Sequence, residues 1–247
     1  VYFIAVIATE LGKVVSKETK IDILVTPLVT IGSGVAVSAL LAPTLGAIAM
    51  KVGDLIMLAT NLQPFWMGIA VSVLVGVALT LPISSAAICA AFGLTGLAGG
   101  AAVAGCCAQM VGFAVMSFRE NKWGGLVSQG IGTSMLQMGN IIKNPRIWIA
   151  PIVTSAITGP LATCLFKLQM NGTPVSSGMG TCGLVGQIGV YTGWMNDIEA
   201  GTKSAVTAID WIGLILISFV LPAVLCPLIN MVVRKLGWVK DGDMTLS

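Results

Sequence analysis

The sequence predicts an all-α integral membrane protein, in which several helices span the bilayer while others form re-entrant hairpins or an interfacial amphipathic helix. Of the 247 residues, 56% are hydrophobic and only 9% are charged, and the mean hydropathy is +0.96. Soluble domains carry roughly 25% charged residues, so this chain lacks the side chains that would cover a water-exposed surface. Uncharged runs long enough to cross the hydrocarbon core recur along the sequence.

The longest uncharged run lies between Asp54 and Arg119. A straight helix over this run would be several times longer than the hydrocarbon core is thick, so the run must fold back within the bilayer or at its edge. Spanning helices are expected near residues 21–42, 62–81, 94–117, 147–166 and 209–233. Because the chain begins at Val1 inside an apolar run, we expect residues 1–11 to end an earlier helix and other N-terminal helices to be missing.

Two stretches fit this scheme less well. Residues 44–60 include Lys51 and Asp54, which predicts an interfacial segment or a tilted crossing. Residues 125–142 mix polar and apolar positions at helical spacing, which predicts an amphipathic helix in the membrane plane.

The charged residues indicate an orientation. The segment 197–210 is net acidic, whereas basic residues form four clusters. The positive-inside rule then places the basic loops and the C-terminus in the cytoplasm and 197–210 outside. The clusters are Lys13, Lys17 and Lys20; Arg119 and Lys122; Lys143 and Arg146; and Arg234, Lys235 and Lys240.

A break interrupts the apolar run "LTLPISSAAI", Leu79 to Ile88. Pro82 removes a backbone donor, and Ser84 and Ser85 add hydroxyl groups. Freed backbone groups in lipid are tolerated where protein buries them or a cavity hydrates them, and transporters place substrate sites at such breaks. A proline kink capped by the serines and a substrate contact both remain open.

A second break lies at "GMGTCG", residues 178–183, which matches G-x-G-x-x-G. The dinucleotide-binding interpretation needs a preceding strand and a βαβ unit, and neither is predicted here. We instead expect a re-entrant hairpin with a polar tip at Ser176, Ser177, Gly178 and Thr181. A helix follows whose glycines, from Gly180 to Gly189 at every third residue, favour close packing. The tip either contacts substrate or serves helix packing alone.

Three amides occur among apolar neighbours: Gln109, Gln137 and Asn140. Each is expected to bond either another helix or a solute, and a solvated face is the alternative for Gln137 and Asn140. The chain has no histidine, its six cysteines form no C-x-x-C, and no basic patch suggests nucleic acid. No catalytic residues, cofactor or metal site are therefore predicted.

Five motifs resemble a known family. They are "KIDILVTPLVTI", "LTLPISSAAI", "AQMVGFAVMSFRENKWGG", "GTSMLQMGNIIKNPRIWIAP" and "GMGTCGLVGQIG". They are similar to the membrane-embedded IIC components of the bacterial phosphotransferase system, the fructose branch in particular, and most closely to a branch also labelled perfringolysin (toxin) regulator. The resemblance implies one IIC-like domain over residues 1–247, a homodimer, and a sugar-class substrate near mid-membrane.

The chain departs from the fructose-type carriers at two positions. Their acidic "ITEGAIPF" segment corresponds to "TSMLQMGN", where Ser134, Met135 and Gln137 fall near the acid. Their "PHGG" hairpin corresponds to "VSSGMG", residues 175–180, which has no histidine. In the carriers these groups hold sugar hydroxyls, so the departures argue against phosphorylation-coupled transport.

The sequence therefore predicts a IIC-like permease in the bacterial plasma membrane that moves a neutral polar solute, with a carbohydrate as the expected class, by alternating access. A ligand-sensing regulator on the same scaffold is the alternative, and a channel is a third. The expected partners are the solute, membrane lipid, a second copy and a separate cytoplasmic IIA/IIB-type or regulatory protein. The predicted solute contacts are Ser84, Ser85, Gln109, Gln137, Asn140, Ser176, Ser177, Gly178 and Thr181.

Overall fold

The computed structural model describes residues 2–16 and 22–246, and within them the regular secondary structure is helical, apart from one isolated antiparallel bridge between Gly96 and Met170. The all-α prediction is confirmed. The α-helices are α1 (Tyr2–Val15), α2 (Asp22–Leu62), α3 (Pro64–Thr80), α4 (Ser85–Phe92), α5 (Gly96–Met116), α6 (Phe118–Val127), α7 (Met138–Lys143), α8 (Ile149–Pro160), α9 (Pro174–Ser177), α10 (Val185–Glu199), α11 (Ala208–Ile215) and α12 (Leu221–Lys235). Short 3-10 or π-helical segments join or extend them at Ser128–Gly132, Ser134–Gln137, Pro145–Trp148, Leu161–Leu165, Cys182–Leu184 and Leu216–Val220.

Helices long and apolar enough to span a membrane occur where the sequence predicts them. In the described residues three such helices are found, at Gly96–Met116, Pro145–Leu165 and Ala208–Lys235. Two shorter apolar helices lie at Val25–Ala39 and Pro64–Thr80. In chain order these five segments coincide with the five predicted spans.

One of the two less regular stretches differs from the prediction. Residues 44–60 are a continuous part of α2, and whether they are interfacial or a tilted crossing stays a prediction. Residues 125–142 do not form one amphipathic helix, because the chain there passes from α6 through two tight segments into α7. Their polar side chains bond one another instead of facing water: Gln137 Nε2 donates to Gln129 Oε1 at 2.9 Å, and both residues are fully buried.

The chain forms two compact units, divided between Lys51 and Val52. In the first unit, Gly12 of α1 lies so close to Thr30 of α2 that a Cβ would overlap its hydroxyl. Lys13 pairs with Glu10 on the surface at 2.7 Å. Lys17 and Lys20, from the first basic cluster, lie outside the described residues. That residues 1–247 form a single domain lacking earlier helices stays a prediction.

The second unit is built around α5, whose most apolar stretch is 94% buried. Gly105 of α5 lies directly against the Ser72 carbonyl of α3, and Gly159 of α8 lies against the Gly68 carbonyl of α3. A Cβ at either glycine would collide with backbone, so the small residues let three helices approach closely. The glycines and alanines at the start of α5 therefore serve helix packing.

The helices of the second unit run between two opposite ends of that unit, which we call the loop end and the tail end. At the loop end, residues 166–172 meet residues 196–210, for example where Asn171 Nδ2 donates to Asp197 Oδ2 at 2.8 Å. At the tail end, residues 117–122 and 140–148 meet residues 234–246. There Arg234 pairs with Glu120 at 2.5 Å, and Asn121 Nδ2 donates to the Met244 carbonyl at 2.7 Å.

Candidate functional site

Three segments of the second unit turn back to the end from which they start. Hairpin A (residues 64–96) leaves the loop end in α3, breaks after Thr80, and returns in α4. Hairpin B (residues 117–144) leaves the tail end in α6 and returns in α7. Hairpin C (residues 171–199) leaves the loop end in α9 and returns in α10. Two hairpins thus enter from one end and one from the other.

The tips of the three hairpins meet, and one side-chain hydrogen bond joins each pair. Thr80 Oγ1 of hairpin A lies 2.8 Å from Ser134 Oγ of hairpin B. Ser85 Oγ of hairpin A donates to the Gly178 carbonyl of hairpin C at 2.7 Å. Thr181 Oγ1 of hairpin C donates to the Gly130 carbonyl of hairpin B at 2.6 Å. We call this meeting point the three-hairpin junction; the four side chains that form it are at most 3% exposed.

The middle of α5 forms one wall of the junction. Gln109 Oε1 accepts hydrogen bonds from Thr80 Oγ1 at 3.3 Å and from Trp148 Nε1 at 2.9 Å. Its Nε2 donates to Ser155 Oγ at 3.4 Å. Through these bonds the amide of Gln109, which is fully buried, links the junction to Trp148 and to Ser155 of α8. A buried amide without these partners would cost free energy, which explains why the polar residues cluster.

The local sequence makes the breaks. Pro82 follows α3, and the Ser84 side chain caps the next helix by accepting from Ala87 N at 3.2 Å. In hairpin C, Gly180 has a φ of +53°, a conformation that glycine adopts without a Cβ penalty. It packs against the backbone at Cys106 of α5, where a side chain would not fit. The glycine-rich run therefore forms a tight turn, as its composition suggests.

The helix after this turn begins later than predicted. Residues 178–181 form turns, residues 182–184 form a short 3-10 segment, and α10 starts at Val185, so Gly180 and Gly183 lie before it. Within α10, Gly186 faces Gly180 and Gly189 faces Ser176. A smooth glycine face does pack on the hairpin, but only the last two glycines of the predicted series form it.

Four of the nine predicted solute contacts lie at the junction or on its wall, namely Ser85, Gln109, Gly178 and Thr181. Ser177 lies beside it and donates to the Leu94 carbonyl at 3.0 Å, which ties hairpin C to the end of α4. Ser176 Oγ lies 2.9 Å from Thr173 Oγ1 inside hairpin C. Ser84 is exposed and acts as the helix cap.

Gln137 and Asn140 lie farther toward the tail end. Gln137 Nε2 donates to the Met244 carbonyl at 3.0 Å, and Asn140 Nδ2 donates to the Thr245 carbonyl at 3.0 Å. Asn140 also donates to Gln137 Oε1 at 2.8 Å. Their amides therefore join hairpin B to the C-terminal segment, and their contact with a solute stays a prediction.

The sequence did not indicate Thr80 and Gly130 at the junction, or Ser155, which bonds Gln109 on its wall. Thr80 and Ser155 sit in apolar helices, where a single hydroxyl commonly bonds its own preceding turn, as Ser155 also does with Pro151 at 2.9 Å. Ser134 could have been predicted as a site residue, because the resemblance aligns it near the acid of the fructose-type carriers.

The comparison with protein families gives one result. The family model described as "Phosphotransferase system, EIIC" matches residues 1–246. No significant match to the chain was found among the curated proteins or among the solved structures.

Proposed function

Because the chain belongs to the phosphotransferase system EIIC family, we propose that it is a permease that carries a neutral polar solute of the carbohydrate class through the three-hairpin junction. The family supplies sugar-permease components of the bacterial plasma membrane, and the apolar helices agree with that location. The transported solute, its route and the coupling are our proposal.

The observation that carries the proposal is that broken segments from opposite ends meet in the interior. Hairpins A and C come from the loop end and hairpin B from the tail end, and their tips exchange hydrogen bonds through Thr80, Ser85 and Thr181. A solute with hydroxyl groups can replace such bonds one for one. Alternating access then requires the hairpins to separate from each other on one side at a time.

The chemistry of the junction favours a neutral solute. The side chains that join the hairpins are hydroxyls, and the wall contributes the Gln109 amide. Such groups donate and accept hydrogen bonds without adding charge. In the resemblance to fructose-type carriers, Ser134 and Gly178 fall in the stretches that correspond to the acid and to the histidine hairpin. Here both contact the tip of hairpin A through uncharged groups.

A ligand-sensing regulator on the same scaffold is the second candidate. The observation that favours it is the absence of acid and histidine from the two corresponding stretches, "TSMLQMGN" and "VSSGMG". A sensor would bind the same solute at the junction and signal to a cytoplasmic partner without net flux. A IIA/IIB-type protein and a second copy of this chain are the proposed partners, with the tail end facing the cytoplasm.

Uptake into proteoliposomes separates the two candidates. Purified protein is reconstituted and offered radiolabelled neutral hexoses, hexitols and disaccharides. A carrier should show saturable uptake of at least one of them, lost in Thr181→Val and kept in Thr192→Val. Among the described residues, the Thr192 hydroxyl bonds only its own helix. Specific binding without uptake would favour the sensor, and neither binding nor uptake would overturn both.

A further inference from the structure

A polar cavity lies at the loop end, apart from the junction. Its volume is about 470 Å³, within the range of small-molecule sites. It is lined by the segment that follows α8, by the end of α10, and by the loop before α11. None of the nine predicted solute contacts lines it.

The floor of the cavity is held in place by aromatic packing. Trp194 is only 2% exposed, and its ring meets Trp211 edge to face with centroids 5.3 Å apart. Lys203 lies over the Trp194 ring at 5.5 Å and pairs with Asp210 at 2.8 Å. These contacts give the cavity a fixed wall, which lowers the entropic cost of ordering the site when a ligand binds.

Three lining groups keep free hydrogen-bonding capacity. Among the described side chains, the Asp197 carboxylate accepts only from the Asn171 amide, at 2.8 and 3.0 Å, so acceptor positions remain open. Within residues 2–16 and 22–246, no hydrogen bond or ion pair uses the Gln169 Nε2 or the Lys167 Nζ. Donors and an acceptor thus line one space, as recognition of hydroxyl groups requires.

The charges of the cavity balance. Lys167 and Lys203 contribute two positive charges, and Asp197 and Asp210 contribute two negative charges. The cavity therefore offers no net attraction to either an anion or a cation, and its uncompensated hydrogen-bonding groups favour a neutral solute. Lys167 has a φ of +44°, which is unfavourable for a residue with a side chain, and such conformations concentrate at functional sites.

On the basis of the function proposed above, we infer that this cavity is a loading site, where a neutral polyhydroxylated solute binds before it reaches the junction. Asp197 and Gln169 bind adjacent hydroxyls, Lys167 binds a third, and Trp194 forms the apolar floor. The solute then passes along hairpin C, since Asn171 and Asp197 stand at the base of that hairpin and Gly178 at its tip.

Binding to the purified full chain in detergent tests the site by titration calorimetry. The probes are D-fructose, D-mannitol and sucrose, with gluconate, glucosamine and zwitterionic L-serine as charged comparators. We expect a neutral probe to bind and Gln169→Ala to weaken its dissociation constant roughly tenfold, because a hydrogen bond is lost. Asp197→Asn should weaken it at least as much, while Glu199→Gln, two residues along the same helix end and outside the cavity, should not.

These measurements test solute binding at the cavity independently of whether the protein transports the solute. Gln169 is exposed and its removal leaves the Asn171–Asp197 contact intact, so that variant decides the matter if Asp197→Asn does not fold. Unchanged affinity in Gln169→Ala overturns the loading site, and so does binding of only a charged probe or of none. Weakened binding in Gln169→Ala with no uptake in any protein would leave the loading site standing and overturn the carrier.

Discussion

The hydroxyl of Ser85 donates a hydrogen bond of 2.7 Å to the carbonyl of Gly178 and so joins two broken segments that are 93 residues apart in the chain. The bond is buried, since Ser85 is 3% exposed. Its removal leaves a carbonyl without its partner in the interior. Ser85→Ala should therefore lower the free energy of unfolding by about 1–3 kcal/mol, measured by denaturant unfolding in detergent.

Ser84→Ala is the neighbouring comparison for that variant. Its side chain caps α4 from an exposed position, so its loss should cost about 1 kcal/mol and leave solute uptake nearly unchanged. If uptake falls equally in both variants, the distinction between the buried and the exposed serine is wrong.

Thr181→Val tests the contact between hairpins B and C. The change keeps the shape of the side chain but leaves the Gly130 carbonyl unpaired, so unfolding should become easier by about 1–3 kcal/mol. The Thr192 hydroxyl bonds Gly189 in its own helix, so Thr192→Val should lower the free energy of unfolding by less than about 1 kcal/mol. Equal losses in the two variants would show that the bond between the hairpins adds no more to the free energy of unfolding than a bond within one helix.

Gly105→Ala tests the close approach of α5 and α3. The added methyl group would overlap the Ser72 carbonyl, and relief requires moving a helix backbone, so a loss of about 1–3 kcal/mol or more is expected in thermal or denaturant unfolding. Gly139→Ala in α7 is the matched control, because nothing lies within 4 Å of its added Cβ. That variant should be neutral or more stable by up to about 1 kcal/mol, and a similar loss in both would contradict the packing.

Cysteine labelling tests the orientation. In a background with the exposed Cys164 changed to serine, Glu199→Cys at the loop end should react with a membrane-impermeant maleimide added to intact cells. Lys240→Cys at the tail end should react only after the membrane is permeabilised. The reverse pattern would show that the tail end faces outside.

The sequence predicts each of the two main breaks but not the contact between them. Pro82 and the glycines near residue 180 change local backbone geometry, and local geometry follows from local sequence. The pairing of Ser85 with Gly178 depends on how α3, α5 and α8 pack, which no short pattern contains. The same holds for Gln109, whose partners Thr80, Trp148 and Ser155 come from separate segments.

Periodicity failed at residues 125–142 for a related reason. Polar residues at helical spacing resemble a face exposed to water, but the same residues can bond one another inside the protein. Gln129 and Gln137 do so, and Gln137 also donates to the backbone carbonyl of Met244. The loop-end cavity was likewise not anticipated, because Gln169, Asp197 and Lys203 come from three stretches of the chain that only the fold brings together.

Alternating access through the junction requires the hairpin tips to separate during transport. Thr80→Cys with Ser134→Cys places two thiols where the hydroxyls now lie 2.8 Å apart, and a reversible bifunctional thiosulfonate reagent can join them. Uptake of the transported solute is then measured in proteoliposomes before joining, after joining, and after reduction, with each single-cysteine variant as control. Joining the tips should stop uptake and reduction should restore it, whereas full uptake with the tips joined would show that they do not need to separate.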